Sequence, residues 1–197
     1  MALSKIQSES VNLSDNFSFT GTVTGAGSNI KEQLVMLCDG NNYTVGSGTY
    51  TAANVTAVQG LTTSHADLTG SSISYTPPTG TTMVIYQFIF HWVYADSYGL
   101  AHFKFLIDSD EATKQRTTIG ANSAPQWQQT LTYLIPVGGS ADTSTGRQAS
   151  WTSAKTLKIQ AREYTSNNEA TVHKLFHWDG VGDAQTPMPK LIITALG

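Results

Sequence analysis

The sequence predicts an all-β protein, an antiparallel β-sandwich of jelly-roll type with an extended amino-terminal arm. Three observations lead there. Met83 to Tyr94 places Val84, Tyr86, Phe88, Phe90, Trp92 and Tyr94 on one side of an extended chain, and Met83, Ile85, Ile89 and Val93 on the other, interrupted by Gln87 and His91. A strand expected to be hidden on both sides belongs inside a sandwich or an oligomer. A helix of the same length is the competing reading, but the density of aromatic and β-branched residues favours strand. Secondly, short alternating segments recur between clusters of Gly, Asn, Asp and Ser, and no convincing helix interrupts them. Thirdly, charged residues make up only 13% of the chain, against a typical ~25%. The surface must therefore be covered by Ser, Thr, Asn, Gln and Gly, as in β-proteins built for an exterior medium.

Taken in order, residues 1–29 read as an arm. Val11, Leu13, Phe17, Phe19 and Val23 share one side, and Asn, Ser and Thr residues fill the other up to Gly25-Ala26-Gly27. A lone one-sided strand is marginal in water. The arm is therefore expected to lie on a neighbouring subunit or a partner, with an ordinary first strand of the main sheet as the alternative. Residues 30–197 form the sandwich domain. It opens with the apolar run Leu34 to Cys38 and the turn Asp39-Gly40-Asn41-Asn42. Tyr43 to Val58 reads as short strands or an extended surface loop, and Gly60 to Thr82 offers only Ile73 to Tyr75 as a brief strand.

Leu100 to Asp108 alternates again after the polar connection Ala95 to Gly99, so it is expected to form a hairpin with the central strand. Asp108 to about Gln126 is polar, with a short apolar piece at Thr118-Ile119. Trp127 to Val137 is a strand with Trp127, Leu131, Tyr133, Ile135 and Val137 on one side, and Gly138 to Gln148 is a loop. Trp151 to Tyr164 is an amphipathic strand, expected to pair in a second hairpin with Glu169 to Trp178. A Gly- and Pro-bearing loop then leads to the buried terminal strand Lys190 to Leu196. Roughly eight or nine short strands with long crossing connections favour a jelly roll over a meander.

Composition excludes several functions. A net charge of −3 and a pI near 5.9 give no basic field for phosphate backbones, so nucleic acid is not an expected partner. No apolar run suits a signal peptide or a membrane span, so cytoplasmic folding without membrane insertion is the expectation. The single cysteine, Cys38, rules out an internal disulfide framework and sits in an apolar run where a thiol is inert.

No cofactor or metal site is expected. His173 and His177 would lie about 13 Å apart on a regular strand, too far to share an ion. His91 and His102 would be neighbours only across the central hairpin. A histidine on a three-fold axis would escape this reasoning. Asp108-Ser-Asp110-Glu111 and Asp179 to Asp183 cluster carboxylates, but neither completes a calcium loop. There is no Gly-x-Ser-x-Gly and no phosphate loop, which leaves a paired-carboxylate glycosidase as the remaining enzymatic alternative. Binding is the better expectation. Asp96, Tyr98, Trp127 and Trp151 stand near predicted strand ends or loops, where aromatic rings beside polar groups can stack on sugar faces.

The opening Ala-Leu-Ser-Lys-Ile-Gln-Ser-Glu-Ser-Val-Asn-Leu-Ser-Asp-Asn-Phe-Ser-Phe-Thr-Gly-Thr-Val, Ala2 to Val23, resembles the amino-terminal segment of fibre or structural proteins of tailed phages of marine bacteria. The aromatic central strand and the apolar carboxyl-terminal strand also resemble, loosely, the trimeric jelly rolls of the tumour-necrosis-factor and complement type. These resemblances imply a homotrimeric virion component whose arm attaches to other virion proteins or to a neighbouring subunit and whose β-domain projects outward. The expected function is a non-enzymatic tail-fibre, spike or head-decoration protein, with a host surface glycan as an expected receptor. The alternative is a stand-alone carbohydrate-binding module.

Overall fold

A computed structural model describes residues 29–94, 99–121, 126–167, 169–176 and 184–197. The arm residues Val11, Leu13, Phe17, Phe19 and Val23 lie outside the described residues, as do Asp96, Tyr98, His177, Trp178 and the Asp179 to Asp183 loop.

Within the described chain the strands are, in order, β1 (Ile30–Leu37), β2 (Asn42–Val45), β3 (Gly48–Thr51), β4 (Gln59–Gly60), β5 (Ala66–Asp67), β6 (Ile73–Tyr75), β7 (Met83–Val93) and β8 (Gly99–Ile107). They continue with β9 (Asp110–Glu111), β10 (Thr117–Ala121), β11 (Gln126–Pro136), β12 (Lys155–Glu163), β13 (Thr171–Val172), β14 (Leu175–Phe176), β15 (Ala184–Gln185) and β16 (Lys190–Leu196). The helical content of the described residues is limited to single 3-10 turns at Thr113–Gln115 and Thr143–Thr145.

Two antiparallel sheets carry the sandwich. In the first, β7 pairs with β11 along one side and with β16 and then β13 along the other, while β1 extends the sheet beyond β16. The second places β8 between β12 on one side and β10 and β9 on the other, with β5 and β6 beyond β12. The chain changes sheet between β7 and β8, again between β10 and β11, and on either side of β12. Such repeated crossing is jelly-roll-like, as the long connections predict.

The aromatic side of β7 forms the core. Val84, Tyr86, Phe88, Phe90 and Trp92 are buried, the neighbouring β11 adds Tyr133, and the facing sheet supplies Phe103, Phe105 and Ile159. Phe105 stacks on Tyr133 with centroids 4.5 Å apart, and Tyr86 lies 5.1 Å from Phe105. Such ring contacts contribute about 0.5–1.5 kcal/mol each beyond the area they bury.

The expected pairing of β7 with β8 is corrected. These strands lie in different sheets and face each other through their rings, with Phe90 5.8 Å from Phe103. Hairpin partners and strands stacked across a sandwich carry the same period-two alternation, so the pattern alone does not separate them. The second expected hairpin fails for the same reason: β12 belongs to the second sheet, whereas β13 pairs with β7 and β4 in the first. Nor is β7 hidden on both sides among the described residues. Its outward positions Met83, Ile85, Gln87, Ile89 and His91 are only half-buried.

Candidate functional site

The outward face of the first sheet is the surface most in need of explanation. Its residues fall into rows fixed by register. Val35, Ile192, Gln87 and Thr132 form one row; Gln33, Thr194, Ile85 and Leu134 form the next; Leu37, Lys190, Ile89 and Thr130 form a third. Leu196, Met83 and Pro136 continue the face at one end, and His91 with Gln128 at the other. Val35 is 52% exposed, Leu37 42% and Leu134 47%. Lys190 is the only charged side chain in these rows.

Two pairs of polar groups on this face are already bonded sideways. Gln33 Nε2 donates to Thr194 Oγ1 across β1 and β16 at 3.2 Å, and Gln87 Nε2 donates to Thr132 Oγ1 across β7 and β11 at 3.3 Å. A polar side chain that has found a partner within its own sheet loses less when water is removed. This face is therefore chemically suited to being covered, although it consists of strand residues that usually meet solvent.

Its flanks are defended differently. The outer edge of β11 is occupied by the Gln115 side chain, whose Nε2 donates to Leu134 O at 2.7 Å while its Oε1 accepts from Leu134 N at 2.9 Å. A side-chain amide thus stands in for a neighbouring strand and discourages edge-to-edge pairing. At the other edge, Glu32 of β1 turns inward and is buried. Its carboxylate accepts from Ser47 N at 2.7 Å, Ser47 Oγ at 2.6 Å and Tyr75 Oη at 2.9 Å. Burial, and then the bond to Glu32, push the Tyr75 phenol above its ordinary range. This buried acid is saturated with donors and closes the β2–β3 turn onto the sandwich.

Trp151, expected as a binding aromatic, is buried, with Nε1 donating to Tyr75 O at 3.3 Å and its ring edge-on to Tyr75. Trp127 is 47% exposed and sits opposite Trp92 at the start of β11. The cleft that Trp151 lines, together with Pro77, Pro78 and Val137, lies just beyond the far end of that strand. At ~3.3 Å per residue the two indoles are separated by roughly 30 Å, so they do not form one site.

The histidines likewise scatter. His91 faces outward from the first sheet and His102 from the second. His173 is fully buried at a positive φ of 60°, with Nε2 donating to Thr69 O at 2.9 Å and its ring edge-on to Phe88 and Phe90. Burial pushes its pKa down to about 4. Among the described residues no three His, Cys, Asp or Glu side chains converge as a metal site. Cys38 is buried, and desolvation followed by the neighbouring Asp39 raises its thiol to about 12, far from the reactive thiolate range.

In comparison with known proteins, no family model and no curated sequence matches the chain.

Proposed function

We propose that this chain is a non-enzymatic structural protein of a tailed-phage virion, a tail-fibre, spike or head-decoration subunit that works as a homotrimer. The observation that carries the assembly part is the outward face of the first sheet. It is apolar at Val35, Ile85, Ile89, Leu134 and Ile192, nearly free of charge, and laterally hydrogen-bonded at Gln33, Thr194, Gln87 and Thr132. Removing such a face from water is favourable at about 25 cal/mol per Å² of apolar area, and few polar groups are stranded. A closed assembly of identical subunits covers it on every copy, and three-fold closure, as against a two-fold pair, rests on the resemblance to trimeric jelly rolls.

The placement in a virion is supported by the resemblance of Ala2 to Val23 to phage fibre proteins and by the Ser- and Thr-rich, weakly charged composition. The arm then serves as the attachment to other virion proteins or a neighbouring subunit through Val11, Leu13, Phe17, Phe19 and Val23. Deleting residues 1–27 should leave a folded β-domain that no longer joins its assembly, read by light scattering and circular dichroism. Retention of the full assembled mass after that deletion would count against the arm. The alternative, a stand-alone carbohydrate-binding module, requires glycan affinity in a stable monomer.

A further inference from the structure

The second sheet presents the opposite outer surface, and its chemistry is different. Register places Thr118, His102 and Arg162 side by side across β10, β8 and β12, all on the outward side. Lys104 lies two residues along β8, and Arg116 precedes β10. With His65 these residues line a cleft of about 190 Å³. Three permanent cations therefore converge on one small concavity in a chain whose net charge is −3.

Their local compensation is incomplete. Glu111 takes Arg116 at 2.5 Å and Lys104 at a loose 3.9 Å. Among the described residues no carboxylate lies within ion-pair distance of Arg162. Asp67, the acid of the neighbouring row, is engaged by Lys158 at 3.0 Å and by Gln160 at 2.7 Å. His102 bonds Thr118 Oγ1 through Nδ1 at 3.0 Å, whereas its Nε2 is shielded from solvent without a hydrogen-bond partner among the described residues. Beside it stands Tyr164, 53% exposed, its ring 5.9 Å from that of His102.

We propose that this cleft binds an acidic saccharide, a sugar bearing a carboxylate or sulfate group, with the anion held by Arg162, Lys104 and Arg116, the His102 ring adding to the positive field when protonated, and the sugar ring laid against Tyr164. An arginine fork and an ammonium suit either anion, and the hydroxyl of Thr118 offers a neutral partner to the sugar. The volume admits one anionic group and part of a ring, and the exposed tyrosine supplies the flat apolar surface that sugar faces stack on. A polynucleotide is disfavoured because the cations that continue along β12, Lys158 and Lys155, are paired with Asp67 and Asp108 and so leave no uncompensated track beyond the cleft.

This inference goes beyond the assembly reading and stands on a different face of the molecule. Burial, then Lys104 and Arg162, lower the pKa of His65, and burial, then Arg162, lower that of His102. A bound anion would offset the repulsion from Lys104 and Arg162. With Lys104, Arg116 and Arg162 charged throughout and Glu111 held ionised by Arg116, affinity should rise as pH falls from about 8 to 5.5 through protonation of these imidazoles.

Calorimetry on the full chain tests the cleft, using an oligogalacturonate, a heparin-derived sulfated tetrasaccharide, neutral maltotetraose, inorganic sulfate and a short single-stranded DNA. Binding of either acidic oligosaccharide, stronger than that of maltotetraose or DNA, is the expected result, and the two acidic probes distinguish carboxylate from sulfate. Arg162→Gln should weaken it about tenfold or more at unchanged melting temperature, the loss of one charge-assisted contact. Tyr164→Ala should weaken the oligosaccharide while leaving inorganic sulfate unaffected. Equal affinity for maltotetraose, tighter binding of DNA, inorganic sulfate matching the oligosaccharide as an adventitious ion only, or an unaffected Arg162→Gln variant would each overturn the proposal. The mass of each variant, measured alongside, separates failure of the cleft from failure of assembly.

Discussion

Phe90 is 1% exposed and touches core rings on several sides, with Phe88 at 5.6 Å, Phe103 at 5.8 Å and His173 at 6.2 Å. Phe90→Ala should cost ~3–5 kcal/mol in denaturant unfolding, because the flanking strands of two sheets cannot collapse into the cavity. A loss below about 1 kcal/mol would contradict the core placement of that ring. His173 makes a second prediction at this scale. Its Nδ1 has no partner among the described residues, so protonation would bury an N–H donor and a charge together. The unfolded imidazole binds a proton near its ordinary pKa of 6.5, but the folded one only near 4. Stability contributed by the neutral ring is therefore complete above pH ~6.5 and declines as pH falls toward 4, by on the order of 3 kcal/mol. His65, His91 and His102 are lowered too and add smaller losses in the same direction. Melting curves between pH 7 and 4 should fall more steeply for the native chain than for His173→Asn, whose side chain tolerates the positive φ. Parallel curves would show that His173 does not govern the acid response.

At the scale of elements, the β2–β3 hairpin depends on Glu32. Glu32→Ala would strand the Ser47 N–H and the Tyr75 hydroxyl, which now bond its carboxylate, and leave the Ser47 hydroxyl with Tyr50 Oη alone. The expected cost is roughly 2 kcal/mol or more, with faster amide exchange over Asn42 to Thr51 than elsewhere in the sandwich. Uniform exchange would mean that the hairpin is held by other contacts. The strands themselves were legible: the even positions of β7 declare a core face, and the terminal strand from Lys190 is where alternation places it. Their partners were not. Val172 and Phe176 look like continuations of one strand opposite β12, yet the run is broken at the positive φ of His173, with Val172 pairing in the first sheet and Phe176 with β15. Gln115, in a polar stretch without periodicity, gave no sign that its amide would cap β11. The cationic cleft was equally hidden, because His65, His102, Lys104, Arg116 and Arg162 come from separate segments and become neighbours only through register.

For the whole molecule, the contrast between its two outer surfaces matters more than any single residue. One sheet carries rows of Val, Ile, Leu, Gln and Thr in which Gln33 is bonded in-plane to Thr194 and Gln87 to Thr132; the other carries Lys104, Lys158, Arg162, Asp67 and Glu111. A free monomer has no evident reason to divide its surface this way. A subunit that covers one face with its neighbours and turns the other outward does. Val35 and Leu134 are half-exposed, so replacing both with Lys should leave the monomer fold intact while placing charge where subunits would meet. The most direct measurement is the solution mass of the full chain and of the Val35→Lys, Leu134→Lys double variant by light scattering, with circular dichroism confirming that both are folded. The expected masses are three times 21.2 kDa for the native chain and a folded 21.2 kDa monomer for the variant. A monomeric native chain, or an unchanged assembly in the variant, would contradict assembly through this face.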